Sequence, residues 1–137
     1  MTGLTELWAG GNKLTTLPDS IAALTQVKSL ILFGNKFTAL PKPIVKLTSL
    51  RELDLDMNEL VTLSESIAAL TALTELDLNN NQFVRLPNSI AALTALKELD
   101  LRKTPLAKPQ SSAVEAWLTA LRDGGCSVMN EDDDFEW

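Results

Sequence analysis

Hydrophobic and polar positions repeat along this chain with a period of 23 residues. In each unit, apolar residues, mostly leucine, occupy the first, fourth and sixth positions, as Leu50, Leu53 and Leu55 do. Because strand side chains alternate between two faces, the fourth and sixth positions predict a short strand with one buried face. The ninth position predicts a turn, where an asparagine amide bonds to backbone groups that the turn leaves unpaired. We expect an asparagine ladder formed by Asn12, Asn35, Asn58 and Asn81.

The second half of each unit predicts a return segment that packs behind the strand. It contains a leucine, usually followed by proline, and then an isoleucine and another leucine, as in Leu17, Pro18, Ile21 and Leu24. Such a segment is too short for a long helix. Because one unit cannot bury its own leucines, the units must stack into a solenoid with a continuous core.

This unit, LxxLxLxxNxLxxLPxxIxxLxx, resembles the leucine-rich repeat family in its 23-residue LPxxIxxL form. The resemblance covers about residues 4 to 106, as four full repeats and a fifth strand. It implies an α/β fold, a right-handed leucine-rich repeat solenoid (horseshoe) with a parallel concave sheet of about five strands. It also implies that the concave sheet binds other proteins, which is an analogy with the family and not a result of the periodicity.

The chain divides into leucine-rich repeats in 1–106, a C-terminal cap in 107–130 and an acidic tail in 131–137. We expect the cap to contain a helix laid over the last repeat and a closing strand at 126–129. The tail, EDDDFEW, carries too much charge to fold alone. Its two aromatic residues nevertheless leave open a second interpretation, in which the tail docks on a basic, apolar groove of a partner.

The cap helix has recognisable ends. Ser112 and Glu115 predict a capping box at its start, and Gly124 predicts its end. Its apolar residues fall on one helical face: Val114, Trp117, Leu118 and Leu121. We interpret Trp117 and Cys126 as core residues.

Composition argues against several classes of protein. No apolar run reaches the roughly 18 residues of a membrane span, and we expect no secretory signal. Cys126 is the only cysteine, so no disulfide can form within the chain, and we expect a cytoplasmic location. The chain has no histidine, the commonest general base and zinc ligand. We therefore predict no enzyme, no cofactor and no metal site.

Charge is unevenly distributed along the chain. The net charge is -6, yet residues 131–137 hold five of the 18 acidic residues, and the other 13 nearly balance the 12 basic ones. The body of the protein is therefore close to neutral and shows no basic face. Nucleic acid is a poor partner for such a surface.

The strand residues that do not point inward occupy the third, fifth and seventh positions of each repeat, with the eighth at the rim. The first set of interest, which we call the apolar patch, comprises Trp8, Ile31, Phe33 and Met57. The second, which we call the acidic columns, comprises Glu52, Asp54, Asp56, Glu75, Asp77, Glu98 and Asp100. Stacked strands lie about 4.8 Å apart, where neighbouring carboxylates repel by roughly 1 kcal/mol in water.

A cationic partner would relieve this repulsion. A structural role for the acidic columns also stays open, because aspartate is common at the fifth position in the resembled family. Arg51, Lys97 and Arg102 are moreover near enough in sequence to neutralise some of the charge.

The leading hypothesis is a non-catalytic module that binds a protein or peptide with apolar and basic groups on its concave face. The alternative is a self-associating or structural solenoid. It would be a weak homodimer through the apolar patch, or a fragment of a larger protein whose first strand has an open edge. A remote alternative is a carboxylate-based hydrolase, although we expect an open face to provide no desolvated pocket that raises one pKa. Calcium on the acidic columns is a lesser variant.

Overall fold

The computed structural model describes residues 4–130 of the chain. Six short parallel strands form one sheet in chain order. The strands are β1 (Glu6–Trp8), β2 (Ser29–Ile31), β3 (Glu52–Asp54), β4 (Glu75–Asp77), β5 (Glu98–Asp100) and β6 (Ser127–Met129). A single longer helix, α1 (Ser112–Asp123), lies between β5 and β6. The predicted acidic tail lies outside the described residues.

The period of 23 residues sets the register of the sheet. Leu53 is paired with Leu30 on one side and with Leu76 on the other, and every strand from β1 to β5 continues the same alignment. The sheet has six strands: the five of the repeats and β6, which lies within the closing strand expected at 126–129 and pairs with β5, with Leu99 opposite Val128. Equivalent repeat positions therefore form straight columns across the sheet.

The return segments are four short 3-10 helices, Asp19–Ala23, Lys42–Lys46, Glu65–Ala69 and Asn88–Ala92. Each is closed by the following leucine, as where the Leu70 N–H donates to the Ile67 carbonyl at 3.0 Å. The core lies between these segments and the sheet. Inward leucines of the middle repeats, such as Leu53, are fully buried, and each such side chain contributes about 1.5 to 3 kcal/mol. Leu7 of the first repeat is half-buried against the same core.

Buried asparagine side chains connect neighbouring repeats behind the strands. Asn58 Nδ2 donates to the carbonyls of Leu32 and Leu55, both at 3.0 Å, and its Oδ1 accepts the Phe37 N–H at 3.2 Å. Asn35 and Asn81 make equivalent bonds. Asn12 is exposed, and it donates to carbonyls of its own repeat.

α1 covers the last repeat. The four apolar residues predicted for its inner face are buried, and Trp117 Nε1 donates to the Leu93 carbonyl at 2.9 Å. The predicted cap at Ser112 is wrong by one residue. Ser111 accepts the Val114 N–H at 3.3 Å instead, because Ser112 already has helical geometry. Within residues 4–130, no helix combines the length and the apolar character needed to cross a membrane.

The backbone turns in the same way after each of the first five strands. The eighth residue of every repeat has a positive φ: Gly11 (74°), Gly34 (66°), Met57 (54°), Asn80 (56°) and Lys103 (57°). Glycine adopts this left-handed conformation freely, whereas it costs a residue with a Cβ about 1 to 2 kcal/mol. The stacked fold therefore imposes the turn even where no glycine is present.

Candidate functional site

The apolar patch places three large side chains at the surface of the concave face. Trp8 is 70% exposed, Met57 is 57% exposed and Phe33 is 40% exposed. Ile31 departs from the expectation, because it is only 7% exposed. Its partners in the adjacent strands are Trp8 and Asp54, so the Ile31 side chain is flanked on both sides. The surface available to a partner therefore consists of Trp8, Phe33 and Met57.

Gly10 makes room for the Phe33 ring. A Cβ atom at Gly10 would lie 2.5 Å from Cε2 of Phe33, well inside the normal contact distance of two carbon atoms. The ring therefore lies over the backbone of the first repeat. This role of Gly10 was not predicted, although a glycine stands where later repeats have aspartate, asparagine or arginine. On the same face, Trp8 Nε1 donates to Glu6 Oε1 at 3.2 Å.

The acidic columns cross β3, β4 and β5 side by side. Asp77 is in register with Asp54 and Asp100, and Glu75 is in register with Glu52 and Glu98. A recess of about 130 Å³ opens between the columns. It is lined by Glu52, Leu53, Asp54, Glu75, Leu76, Asp77, Glu98, Asp100 and Met129. The contribution of β6 through Met129 was not predicted, since the 23-residue pattern does not extend to that strand.

The aspartate column also stabilises the turns. Asp54 Oδ1 accepts the N–H of Asp56 at 3.1 Å, and Asp77 Oδ1 accepts the N–H of Asn79 at 3.2 Å. Bonds of this kind from an aspartate to the backbone two residues on are typical of Asx turns. They involve one carboxylate oxygen of each residue. No backbone N–H of residues 4–130 bonds to the second oxygen of Asp54 or Asp77.

Charge is balanced at the β5 end of the column. Arg102 Nε and Nη2 donate to the two oxygens of Asp100 at 3.1 and 2.8 Å. Burial by itself raises the pKa of Asp100, but hydrogen bonds from Arg102 and Asn79 outweigh it and hold the pKa below its ordinary value of 3.8. Arg51 and Lys97, which the sequence also offered as neutralising residues, form no ion pair within residues 4–130.

The other end of the column holds an unbalanced group. Carboxylate oxygens of Asp54, Asp56 and Asp77 lie within 4.8 Å of one another. Burial, and then the neighbouring carboxylates, raise the pKa of Asp77 from 3.8 to about 7, against a hydrogen bond from the Asn79 backbone. Asp56 Oδ1 is shielded from solvent and has no hydrogen-bond partner among the described residues. A proton shared between Asp56 and Asp77 would give this oxygen a donor.

This group has limited capacity for a metal ion. With one oxygen from each residue, the group supplies three of the six to eight oxygen ligands that Ca²⁺ takes in proteins, and second carboxylate oxygens or water would have to supply the rest. A proton on Asp77 would compete with a cation near neutral pH. The calcium variant thus gains no support beyond the acidic group itself.

The repeat pattern and the geometry of the sheet agree with a known family. Residues 9–135 match the family described as a leucine-rich repeat region. The chain belongs to the leucine-rich repeat family. No curated protein matches this leucine-rich repeat chain significantly.

Several solved leucine-rich repeat structures are similar to it. A protein of Leptospira interrogans is 34% identical with a TM-score of 0.81, over 93% of this chain and 31% of that one. An internalin of Listeria monocytogenes is 25% identical with a TM-score of 0.74, over 99% of this chain and 36% of that one. The Arabidopsis receptor kinase HAESA, in complex with the peptide hormone IDA and the co-receptor SERK1, is 28% identical with a TM-score of 0.68, over 95% of this chain and 21% of that one. This chain therefore spans about a third or less of the three proteins.

Proposed function

We propose that this leucine-rich repeat chain is a non-catalytic interaction module whose concave face binds a protein or peptide with apolar and basic groups. The observation that carries the proposal is the exposure of Trp8, Phe33 and Met57 in three successive repeats, beside the acidic columns. A single exposed apolar residue is ordinary on a protein surface. Several grouped on one face are typical of a contact site.

Met57 provides a separate argument. Its backbone φ of 54° suits glycine or asparagine better than methionine, and the equivalent positions in adjacent repeats are Gly34 and Asn80. Because the same positive φ recurs at the eighth position of all five repeats, the fold imposes the turn, and the choice of a methionine here needs a reason other than the turn. Because the Met57 side chain is 57% exposed, contact with a partner accounts for it better than packing does.

The similar structures and the surface charge narrow the class of partner. HAESA is bound to a peptide hormone and a co-receptor, which supports a protein or peptide as the partner here. The acidic columns would repel the phosphates of a nucleic acid.

We also propose a cytoplasmic location, because a free thiol such as that of Cys126 persists in a reducing compartment. Immunofluorescence of the tagged chain in its source cells tests the location, and secretion would contradict it.

Selection from a random phage-displayed peptide library on the immobilised chain tests the binding proposal. We expect selected peptides to lose most of their affinity for Trp8→Ala, because the substitution removes the most exposed side chain of the apolar patch. A side chain that is 70% exposed is dispensable for folding, so the loss would not come from unfolding. Val61→Ser is the matched control, since Val61 is 57% exposed but lies beyond the strand and the asparagine ladder. Full binding to Trp8→Ala, or no selected peptide at all, would overturn the proposal.

Self-association through the apolar patch is a second candidate, favoured by the same exposed side chains. Burying roughly 300 Å² on each copy would contribute at most about 15 kcal/mol, against association costs of roughly 4 to 15 kcal/mol. Because Ile31 is buried, the true area is smaller and the balance moves against a dimer. Light scattering coupled to size exclusion decides the matter. A dimer lost in Trp8→Ala supports self-association, and a monomer at every concentration excludes it.

The hydrolase alternative needs one correction. The expectation that no carboxyl on an open face has a raised pKa is wrong for Asp77, whose pKa is about 7. The recess beside it, however, measures about 130 Å³, below the roughly 300 to 1,000 Å³ of small-molecule sites. We therefore keep the non-catalytic proposal. Turnover of chromogenic glycosides that disappears in Asp77→Asn would contradict it.

A further inference from the structure

Two chemically different surfaces lie on one continuous sheet, at a separation that the strand order sets. The apolar patch occupies β1 and the turns after β2 and β3, and the recess between the acidic columns is centred on β4. Adjacent strands lie about 4.8 Å apart. Trp8 on β1 and Asp77 on β4 hold equivalent positions in the strand register, so three strand spacings, or about 14 Å, separate them.

We propose that the partner presents an extended segment with an apolar side chain and an arginine four residues apart, the first on the apolar patch and the second in the recess. This inference rests on the function proposed above and specifies its partner. A single segment is the expected occupant, because the apolar patch requires an apolar contact and the recess between the acidic columns requires a positive charge.

The spacing of four follows from the geometry of an extended chain. Side chains of a strand point to the same face only at even separations, and each residue advances about 3.3 Å. Two residues span about 7 Å, four about 13 Å and six about 20 Å. Only the separation of four matches the distance across the sheet.

Arginine fits the recess better than lysine for two reasons. Carboxylates of Asp54 and Asp77 stand around the recess, and Met129 adds an apolar side chain to its lining. A guanidinium is planar and weakly hydrated, so it tolerates the neighbouring Met129 while its forked donors reach two carboxylates. The protein forms such a forked pair on the same face, where Arg102 donates twice to Asp100.

The peptide selection described above also tests this inference. We expect selected sequences to share an apolar residue and an arginine separated by three residues, in either direction along the peptide. A synthetic selected peptide should then lose about five- to tenfold in affinity when its arginine becomes glutamine, the size expected for a partly buried charge pair. Fluorescence anisotropy of the labelled peptide measures this change.

A double-mutant cycle assigns the arginine to the recess. Asp77→Asn keeps an oxygen for the Asn79 N–H but removes the negative charge that Asp77 carries above its pKa of about 7, so the cycle is measured at about pH 8. We expect Asp77→Asn to lower the affinity for the arginine peptide about five- to tenfold and to leave the affinity for the glutamine peptide unchanged. Asp19→Asn is the matched control, because Asp19 is exposed in the first 3-10 helix, outside the sheet.

The outcomes separate this inference from the broader proposal. Selected peptides that depend on Trp8 but carry no arginine at that spacing would overturn the inference and leave the proposed function intact. Equal selection of lysine, or equal losses for both peptides in Asp77→Asn, would also overturn it. A failure to select any peptide would remove the proposed function itself.

Discussion

Replacing Asp77 by asparagine should reduce the pH dependence of the stability of this domain. In the wild-type protein, burial is the largest cause of its raised pKa, followed by the carboxylates of Asp54, Asp56 and Asp100. Asparagine keeps the oxygen that accepts the Asn79 N–H at 3.2 Å. The substitution therefore removes the titrating group while leaving the turn after β4 in place.

The sign of the effect follows from proton linkage. A carboxyl whose pKa is raised on folding binds its proton more tightly in the folded state than in the unfolded state. The contribution of Asp77 to the free energy of unfolding is therefore complete below about pH 4 and is lost as the pH rises through about 7. At about 1.4 kcal/mol per pH unit, the ceiling is about 4 kcal/mol. Because the side chain is only half-buried and water screens it, we expect about 1 to 2 kcal/mol.

Urea unfolding followed by circular dichroism at pH 5 and pH 8 measures this difference. The wild-type protein should lose about 1 to 2 kcal/mol more stability than Asp77→Asn between the two pH values. Asp19→Asn should follow the wild-type protein, since Asp19 lies on an exposed 3-10 helix outside the acidic columns. Equal pH dependence in Asp77→Asn and the wild-type protein would refute the assignment of the proton to this residue.

Three further substitutions test other parts of the structure. Gly10→Ala should displace the Phe33 ring, lowering the affinity for selected peptides at least about fivefold in anisotropy titrations; unchanged affinity would exclude Phe33 from the contact. Asn58→Ala should cost about 3 kcal/mol in urea unfolding, because it leaves buried backbone groups unpaired, and a cost no larger than that of exposed Asn12→Ala would contradict this. Met57→Gly should stay within about 1 kcal/mol of the wild-type stability, because relief of the left-handed strain offsets lost contacts; a loss above about 2 kcal/mol would show that Met57 packs in the core.

The fold could be predicted from the sequence because each repeat contains the same pattern of leucine and asparagine positions. Leu53 and Asn58 have counterparts 23 residues away in both directions, and a column of identical residues fixes both the strand register and the direction of stacking. β6 falls within the closing strand expected at 126–129, but that expectation came from the need to cover the last repeat and not from a repeat pattern. Its residues Ser127–Met129 carry no leucine pattern, and the strand is defined by its pairing with β5.

The candidate site was accessible only in part. The sequence spacing shows that Asp54, Asp77 and Asp100 lie in one column. It does not show how deeply each carboxyl is buried, and burial is the main cause of the raised pKa of Asp77. Ile31 shows the same limit from the apolar side. Its position on the concave face is a matter of strand alternation, whereas its 7% exposure depends on how the flanking residues cover it.

The shared left-handed turn at the eighth position of each repeat has a consequence for how this surface can be changed. The backbone adopts the same φ with glycine at Gly34, methionine at Met57, asparagine at Asn80 and lysine at Lys103. Side-chain identity at these rim positions is thus largely uncoupled from the shape of the scaffold. A combinatorial library without proline at these four positions would alter the recognition rim while each member kept the same solenoid, at an added cost of about 1 to 2 kcal/mol where a side chain replaces Gly34.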